Sequence, residues 1–289
     1  MSFVSILPSE ELDTSKLVRS VGRVEMSFRK DGEDNAIDHL FQSGCGRVRF
    51  PSIDNPHMPE AVLINTAGGL TGGDHMTYEV ALEAGAALTV TGQAAEKIYK
   101  SVGPDVVIDG RLDLAADSYL EWLPQETILF NRARLQRMNE VNLTSSSRLL
   151  ALETTVFGRE AYGETVVEAA LSDGWKIRLD GDLIWFDRFR FDGLMQEVLS
   201  RPALLAGARA MTTIIAYVDG VEEVRDPLRD KLAGMESLFG LTVLDKGPLV
   251  IRGLDKDPYR LRKSIVGIVS ALREKMTGLT MAMPAVWEV

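Results

Sequence analysis

The six positions from Gly68 to Gly73 hold four glycines, and Asp74 and His75 follow directly. A phosphate-binding loop needs this kind of glycine density. In G-x-x-x-x-G-K-S/T the backbone amides cradle the anion and the lysine completes the charge. Here Asp74 takes the lysine position and would repel phosphate, and Met76 to Leu82 alternates like a strand where a helix should begin. The spacing also fails G-x-G-x-x-G with a following helix. The glycines therefore point to positive φ or close backbone approach in a tight strand-to-strand turn that presents a carboxylate. Neighbouring residues of a strand face opposite ways, so only one of Asp74 and His75 can face a given cavity.

Other reactive side chains are sparse. Cys45 is the sole cysteine. No intrachain disulfide can form, which predicts a reducing, cytoplasmic setting, and a lone cysteine reads as a small buried hydrophobe rather than a nucleophile. Ser43-Gly44-Cys45-Gly46 does not supply the serine elbow of G-x-S-x-G. His39, His57 and His75 are scattered. That argues against a closed zinc site of four nitrogen or sulfur ligands and leaves open a transient site of carboxylates and one histidine. Glu121 and Glu126 could do acid–base work, so a β-rich carboxylate-dependent hydrolase is one alternative. It predicts turnover by the chain alone. A generic protein-binding module without a metal role is another.

The elements that must position these residues are mostly strands. The 289 residues are 45% hydrophobic and 26% charged with a net charge of −10. That is enough to bury a large core, and the acidic balance disfavours nucleic acid and anionic membranes. Met1 to Leu12 lacks the basic and apolar regions of a signal peptide, and no apolar run approaches the roughly 20 residues that span a bilayer. Short alternating or β-branched runs recur at Gly46 to Phe50, Ala61 to Asn65, Ala86 to Thr91, Asp105 to Leu114, Tyr119 to Leu123, Glu140 to Thr144, Leu149 to Phe157, Thr165 to Leu171, Trp175 to Leu179 and Leu183 to Phe191. They predict an all-β sandwich, barrel or solenoid. Leu241 to Arg252 reads as a hairpin around Asp245-Lys246-Gly247-Pro248, and Gly32 to Asp38 and Pro51 to Pro59 as surface loops. Two helices are expected near the C-terminus. One follows Asp226-Pro227 with Leu228, Leu232, Met235 and Phe239 and stops at Gly240. The other follows Asp257-Pro258 with Leu261, Ile265, Ile268, Leu272 and Met276 and stops at Gly278. No internal repeat is visible, and the chain reads as one domain, 1–289.

Four blocks carry a family resemblance. Leu63 to Asp74, with Gly68, Gly69, Gly72 and Gly73, resembles the signature of the urease accessory protein UreD (UreH) family. The likeness continues through Gly85-Ala86 and Thr91 to Ser101, with Gln93 and Lys97. It reappears in Leu120 to Ile128, with Glu121, Trp122, Gln125 and Glu126, and in Phe157 to Glu164, with Gly158, Arg159 and Gly163. Arg273, Gly278 and Pro284 to Trp287 are similar as well. There are departures: Thr66-Ala67 stands where two prolines are usual, His75 where a basic residue is common, and Arg132 and Arg134 look individual to this chain.

The resemblance implies a mainly β fold of layered sheets resembling a short β-helix, with a few helices. It implies a non-enzymatic maturation factor that binds urease apoprotein and UreF, which recruits the GTPase UreG, within an accessory complex that could be oligomeric. No cofactor is tightly held; nickel is cargo in transit, through a passage in the protein. By similarity Asp74 and Glu164 are candidates to line that passage, with His75 beside it. Exchangeable carboxylate and carbonyl ligands suit a metal that must leave again. Competing structural readings are an ion pair of Glu164 with Arg159, a strand-end cap at Gln125-Glu126, and core packing for Trp122 and Tyr99.

Overall fold

The computed structural model describes residues 18–51, 58–159, 163–199, 201–245, 247–278 and 280–288. Met1 to Leu12, His57, most of the Pro51 to Pro59 stretch and Glu160 to Tyr162 of the fourth block lie outside the described residues. A hairpin opens the fold, β1 (Val21–Asp31) and β2 (Asp34–Gly44). There follow β3 (Gly46–Arg49), β4 (Glu60–Asn65), β5 (His75–Leu82), β6 (Ala87–Gly92), β7 (Glu96–Ile98), β8 (Val106–Leu114), β9 (Tyr119–Leu123) and β10 (Thr127–Leu129). Then come β11 (Arg134–Leu143), β12 (Arg148–Phe157), β13 (Glu168–Leu179), β14 (Asp182–Leu194), α1 (Met195–Leu199), β15 (Ala210–Tyr217), α2 (Arg225–Ala233), β16 (Leu238–Val243), β17 (Leu249–Asp255) and α3 (Pro258–Thr277).

From β4 to β13 the chain winds between faces. One sheet runs β14-β13-β11-β8-β5-β1-β2 and the other β16-β17-β15-β12-β9-β6-β4-β3, and β7 and β10 form a narrow third face that joins the second sheet at β12. β5, β8, β11 and β13 are parallel neighbours, as are β4, β6, β9 and β12. The result is a β-solenoid of about four turns, so the layered β fold expected from the resemblance is what the chain forms.

In-register stacking gives each face a ladder. Inside, Met26, Val80, Leu112, Val141 and Ile177 are register partners across β1, β5, β8, β11 and β13, and all are buried. Outside on the same sheet, Glu79, Arg111, Glu140 and Lys176 alternate in sign, and Lys176 Nζ lies 3.1 Å from Glu140 Oε1. Opposite charges side by side favour this register over a slipped one. The second sheet is covered on its outer face too. Leu150, Leu152, Ile214, Ala216 and Ile251 pack with Leu261, Ile265, Ile268, Leu272 and Met276 of α3. β12 is therefore buried on both sides, which explains its nearly unbroken apolar run.

α3 starts and stops where its signals lie. Asp257 Oδ1 accepts from the Tyr259 amide at 2.9 Å, Pro258 opens the helix, and Gly278 caps it at φ 70°. α2 is shorter than its apolar spacing predicts. It ends at Gly234, and Phe239 and Gly240 belong to β16, paired with β17 in the expected hairpin. Phe239 fits the helical spacing after Leu232 and Met235 and equally a two-residue period with Leu241 and Val243, and sheet pairing wins. Asp226 does not cap α2; it pairs with Arg225 at 2.8 Å. Gly32 to Asp38 is a turn only at its start, since β2 begins at Asp34. Thr165 to Leu171 and Trp175 to Leu179 merge in large part into one strand, β13.

Candidate functional site: an interior polar cavity

The glycine turn forms a rung of the third face. Leu70 accepts from the Tyr99 amide at 2.7 Å and donates to the Lys97 carbonyl at 2.8 Å. Two glycines are dictated by contact. A Cβ on Gly69 would meet the Tyr99 ring at 2.5 Å, and one on Gly72 would collide with Ser101 Oγ and the Pro104 carbonyl. Tyr99 is thus a surface lid over Gly69, edge-on to Phe130 at 4.9 Å, rather than a core residue. Asp74 is 3% exposed, and its oxygens accept from the amides of Ser20 (2.7 Å) and Thr71 (2.8 Å). His75 points the other way, and its Nε2 lies 2.9 Å from Asp109 Oδ2 on the outer face.

The fourth block builds a second turn. Glu164 pairs with Arg159 at 2.9 Å and accepts from the Asn131 amide at 3.3 Å. The Arg159 guanidinium also covers the Phe130 ring at 4.1 Å. Gly158 and Gly163 take φ of 88° and 71°.

The first three blocks converge on one cavity of about 240 Å³. Asn65, Gly68, Gln93, Glu96, Lys97 and Gln125 line it together with Tyr78, Trp122, Thr127, Arg137, Asn139 and Glu153. Asp74, His75 and Glu164 are not among its lining residues. Glu96 accepts from Asn65 Nδ2 at 3.0 Å and from the Lys97 amide at 3.2 Å. Burial outweighs these bonds and pushes its carboxyl up to about 7.

Deeper in stands a buried triad. Arg137 Nε and Nη2 hold both Asp173 oxygens at 2.9 and 2.6 Å, and Nη1 donates to Thr127 Oγ1 at 2.8 Å. Glu153 Oε1 accepts from Trp122 Nε1 and Asn139 Nδ2, each at 3.2 Å. Its Oε2 sits 2.5 Å from Arg137 Nη1 as an ion contact without hydrogen-bond alignment. Burial raises the Glu153 carboxyl and Arg137 opposes the rise. Gly110 makes room for Asn139, whose Oδ1 occupies the place of a Cβ there. Beyond the triad, Asp173 lines a second cavity of about 170 Å³ with Trp175, Phe189, Met211 and Thr212, where Arg252 meets Asp187 at 2.6 Å.

Glu121 and Glu126 do not form an acid–base pair beside a cleft. Glu121 is fully buried, bonded to Arg273 Nε (2.7 Å), Tyr119 Oη (2.7 Å) and Thr89 Oγ1 (2.8 Å). Glu126 and Gln125 both bind Arg262, whose guanidinium lies 4.5 Å from the Trp287 ring centroid. Both carboxylates thus fasten α3 to the solenoid. Burial also raises the Cys45 thiol, away from nucleophile behaviour. Among the described residues, no three His, Cys, Asp or Glu side chains gather into a metal-holding group, and no helix is long and apolar enough to cross a membrane.

Reading the sequence singled out residues at the rim of the first cavity and passed over its interior. Glu96 lay inside a recognised block without being chosen. Arg137 and Asn139 sit on the inward period of β11 between Leu135 and Val141, and Glu153 and Asp173 interrupt apolar runs. Polar residues at inward positions of a strand were the available signal.

The profile of the UreD urease accessory protein family matches residues 20–288. "Urease accessory protein UreD 1" of Brucella abortus biovar 1 (strain 9-941) is 38% identical over 286 residues, covering 98% of this chain and 99% of that protein. "Urease accessory protein UreD" of Magnetococcus marinus is 36% identical over 272 residues (93% and 94%), and that of Azorhizobium caulinodans 37% over 269 residues (93% and 96%).

Proposed function

Because the chain belongs to the UreD urease accessory protein family, and so has a role in urease maturation, we propose that it is a non-enzymatic scaffold that passes nickel through its interior to urease apoprotein. One observation carries this reading. A solenoid with a largely apolar core contains two cavities, one lined by the buried carboxylate Glu153 and the other by the buried carboxylate Asp173, and Arg137 binds both. Carboxylates, amide oxygens and hydroxyls hold a divalent ion loosely enough to release it. In this reading Glu96 and Asn65 receive the ion at the rim, and Asp187 lies at the far cavity. Asp74 and Glu164, candidates for the path by resemblance, support it by fixing the two turns. UreF and UreG are the proposed partners, and the cytoplasm the proposed setting, which the lone cysteine favours.

The test is co-expression of urease subunits and the other accessory proteins with and without this chain, followed by urease activity and nickel content. We expect both to fall without it, and Glu96→Gln to lower nickel loading while leaving complex assembly intact. Unchanged activity without the chain overturns the function. Turnover of a substrate by the purified chain would favour the hydrolase alternative.

A further inference from the structure

The first sheet ends on an open edge. β14 bonds β13 on one side, and among the described residues no strand pairs with its other side. At 13 residues it is the longest described strand, and from Trp185 to Leu194 its pairing with β13 runs without a bulge. The other sheet ends on shorter strands, β16 with 6 residues and β3 with 4. A long free edge offers a row of amides and carbonyls to any extended chain. The outward face of this one is patterned. Phe186, Arg188, Arg190, Asp192 and Leu194 alternate with Asp187, Phe189 and Phe191, which turn inward. Asp192 is already neutralised, since Arg134 donates to its two oxygens at 3.3 and 3.1 Å. Arg188 and Arg190 have no ion-pair or hydrogen-bond partner among the described residues. They line a depression of about 140 Å³ with Ser172, the register partner of Arg190, whose hydroxyl is also unpartnered. The opposite edge of the sheet, β2, carries Asp34, Asp38 and His39 and neither arginine nor lysine. In a chain of net charge −10, two adjacent free cations on an unpaired edge mark one place that favours an anion.

We propose that the β14 edge docks an extended acidic segment of a partner protein, which joins the first sheet as a further strand. The proposal stands apart from the interior route for nickel. Backbone pairing supplies the affinity common to all such strands, and the side chains supply the choice among them. Residues two apart in a strand face the same way and stand about 6.6 Å apart. A strand paired to β14 keeps that spacing. Its acidic residues must therefore alternate with others to meet Arg188 and Arg190 together. Guanidinium forks bind carboxylates through two parallel bonds, and the Ser172 hydroxyl adds a donor in the depression below. Phe186, 53% exposed, is the next outward residue and suits an apolar side chain. The partner segment thus reads apolar-x-acidic-x-acidic, in one chain direction or the other. The acidic balance of the whole chain disfavours nucleic acid as the anion.

The experiment is fluorescence anisotropy of the full chain with a labelled peptide, Thr-Ile-Thr-Glu-Thr-Glu-Thr-Ile-Thr, whose palindromic order serves either strand direction. The wild type should bind it at least tenfold more tightly than the same peptide with lysine for glutamate. Arg188→Glu/Arg190→Glu should reverse that preference, weakening the acidic peptide at least tenfold and gaining the lysine peptide. Both arginines are exposed, so the fold should survive, as far-UV circular dichroism checks. Should the reversed pair fail to fold, Arg188→Ser/Arg190→Ser should still lose at least fivefold. Methylating alternate backbone amides of the peptide should weaken it at least tenfold, because a methylated amide cannot join a ladder. The proposal is overturned if the two peptides bind the wild type alike, which would make the arginines mere guards of the edge. It is overturned equally if the methylated peptide binds as well as the plain one, which would leave a site for carboxylates alone. Sedimentation of the chain by itself completes the test: a dimer that the arginine variants abolish would give the edge to a second copy instead.

Discussion

Replacing Arg273 by methionine tests what fastens α3 to the solenoid. Arg273 and Glu121 are buried, 4% and 0% exposed, with Nε 2.7 Å from Oε1. Nη1 also donates to the Ala282 carbonyl at 2.6 Å, tying the C-terminal segment to the helix. Removing one partner of a buried ion pair costs about 3–5 kcal/mol, since the other charge remains without compensation. Glu121 keeps the Tyr119 and Thr89 hydroxyls as donors, which places the expected loss near the lower end, about 3 kcal/mol. Urea unfolding followed by far-UV circular dichroism measures it. Arg273→Met should shift the midpoint downward, and adding Glu121→Gln should recover at least a third of the loss, because a neutral amide tolerates the site better. A loss below about 1 kcal/mol, or a double variant no better than additive, would refute the argument, because neither agrees with a stranded buried charge.

Gly72→Ala should lower stability by about 1–3 kcal/mol, since the new methyl must displace Ser101 and the Pro104 carbonyl; a thermal melt checks it. Asp74→Ala should cost about 1–3 kcal/mol by orphaning the Ser20 and Thr71 amides, with hydrogen exchange rising first at those two residues. Glu96 titrates near 7 in the fold against an ordinary 4.5. The fold therefore prefers its protonated form, and its contribution to stability is complete below about 4.5 and lost as pH rises through about 7. Glu96→Gln should accordingly match the wild type near pH 5 and exceed it by on the order of 2 kcal/mol near pH 8 in denaturant titrations.

Much of the architecture was legible because strands announce themselves by period. β5, β8 and β12 follow from alternation or apolar runs, and α3 from Asp257, Pro258 and Gly278 acting together. Periodicity left the coiling as one of three β architectures, and the family resemblance picked it out, because the repeat is one of backbone geometry. Successive coils share a ladder position without sharing a residue type, as Met26, Val80, Leu112, Val141 and Ile177 show. The site divided along the same line. Gly68, Gln93 and Gln125 were found because they belong to recognised blocks, and they do rim the cavity. Arg137, Glu153 and Asp173 come from three strands on two sheets, and nothing in local spacing shows that they meet.

The parallel ladder makes the solenoid a ruler. Neighbouring rungs stand about 4.8 Å apart, whatever side chains they carry. Glu96 and Thr127 are one rung apart on the third face, and Arg137 and Asp173 one rung apart on the first sheet. Side chains that face this interior are spaced in steps of backbone length, set by hydrogen bonds that no single side chain controls. Substitution can change what waits at each step, but the stride belongs to the fold.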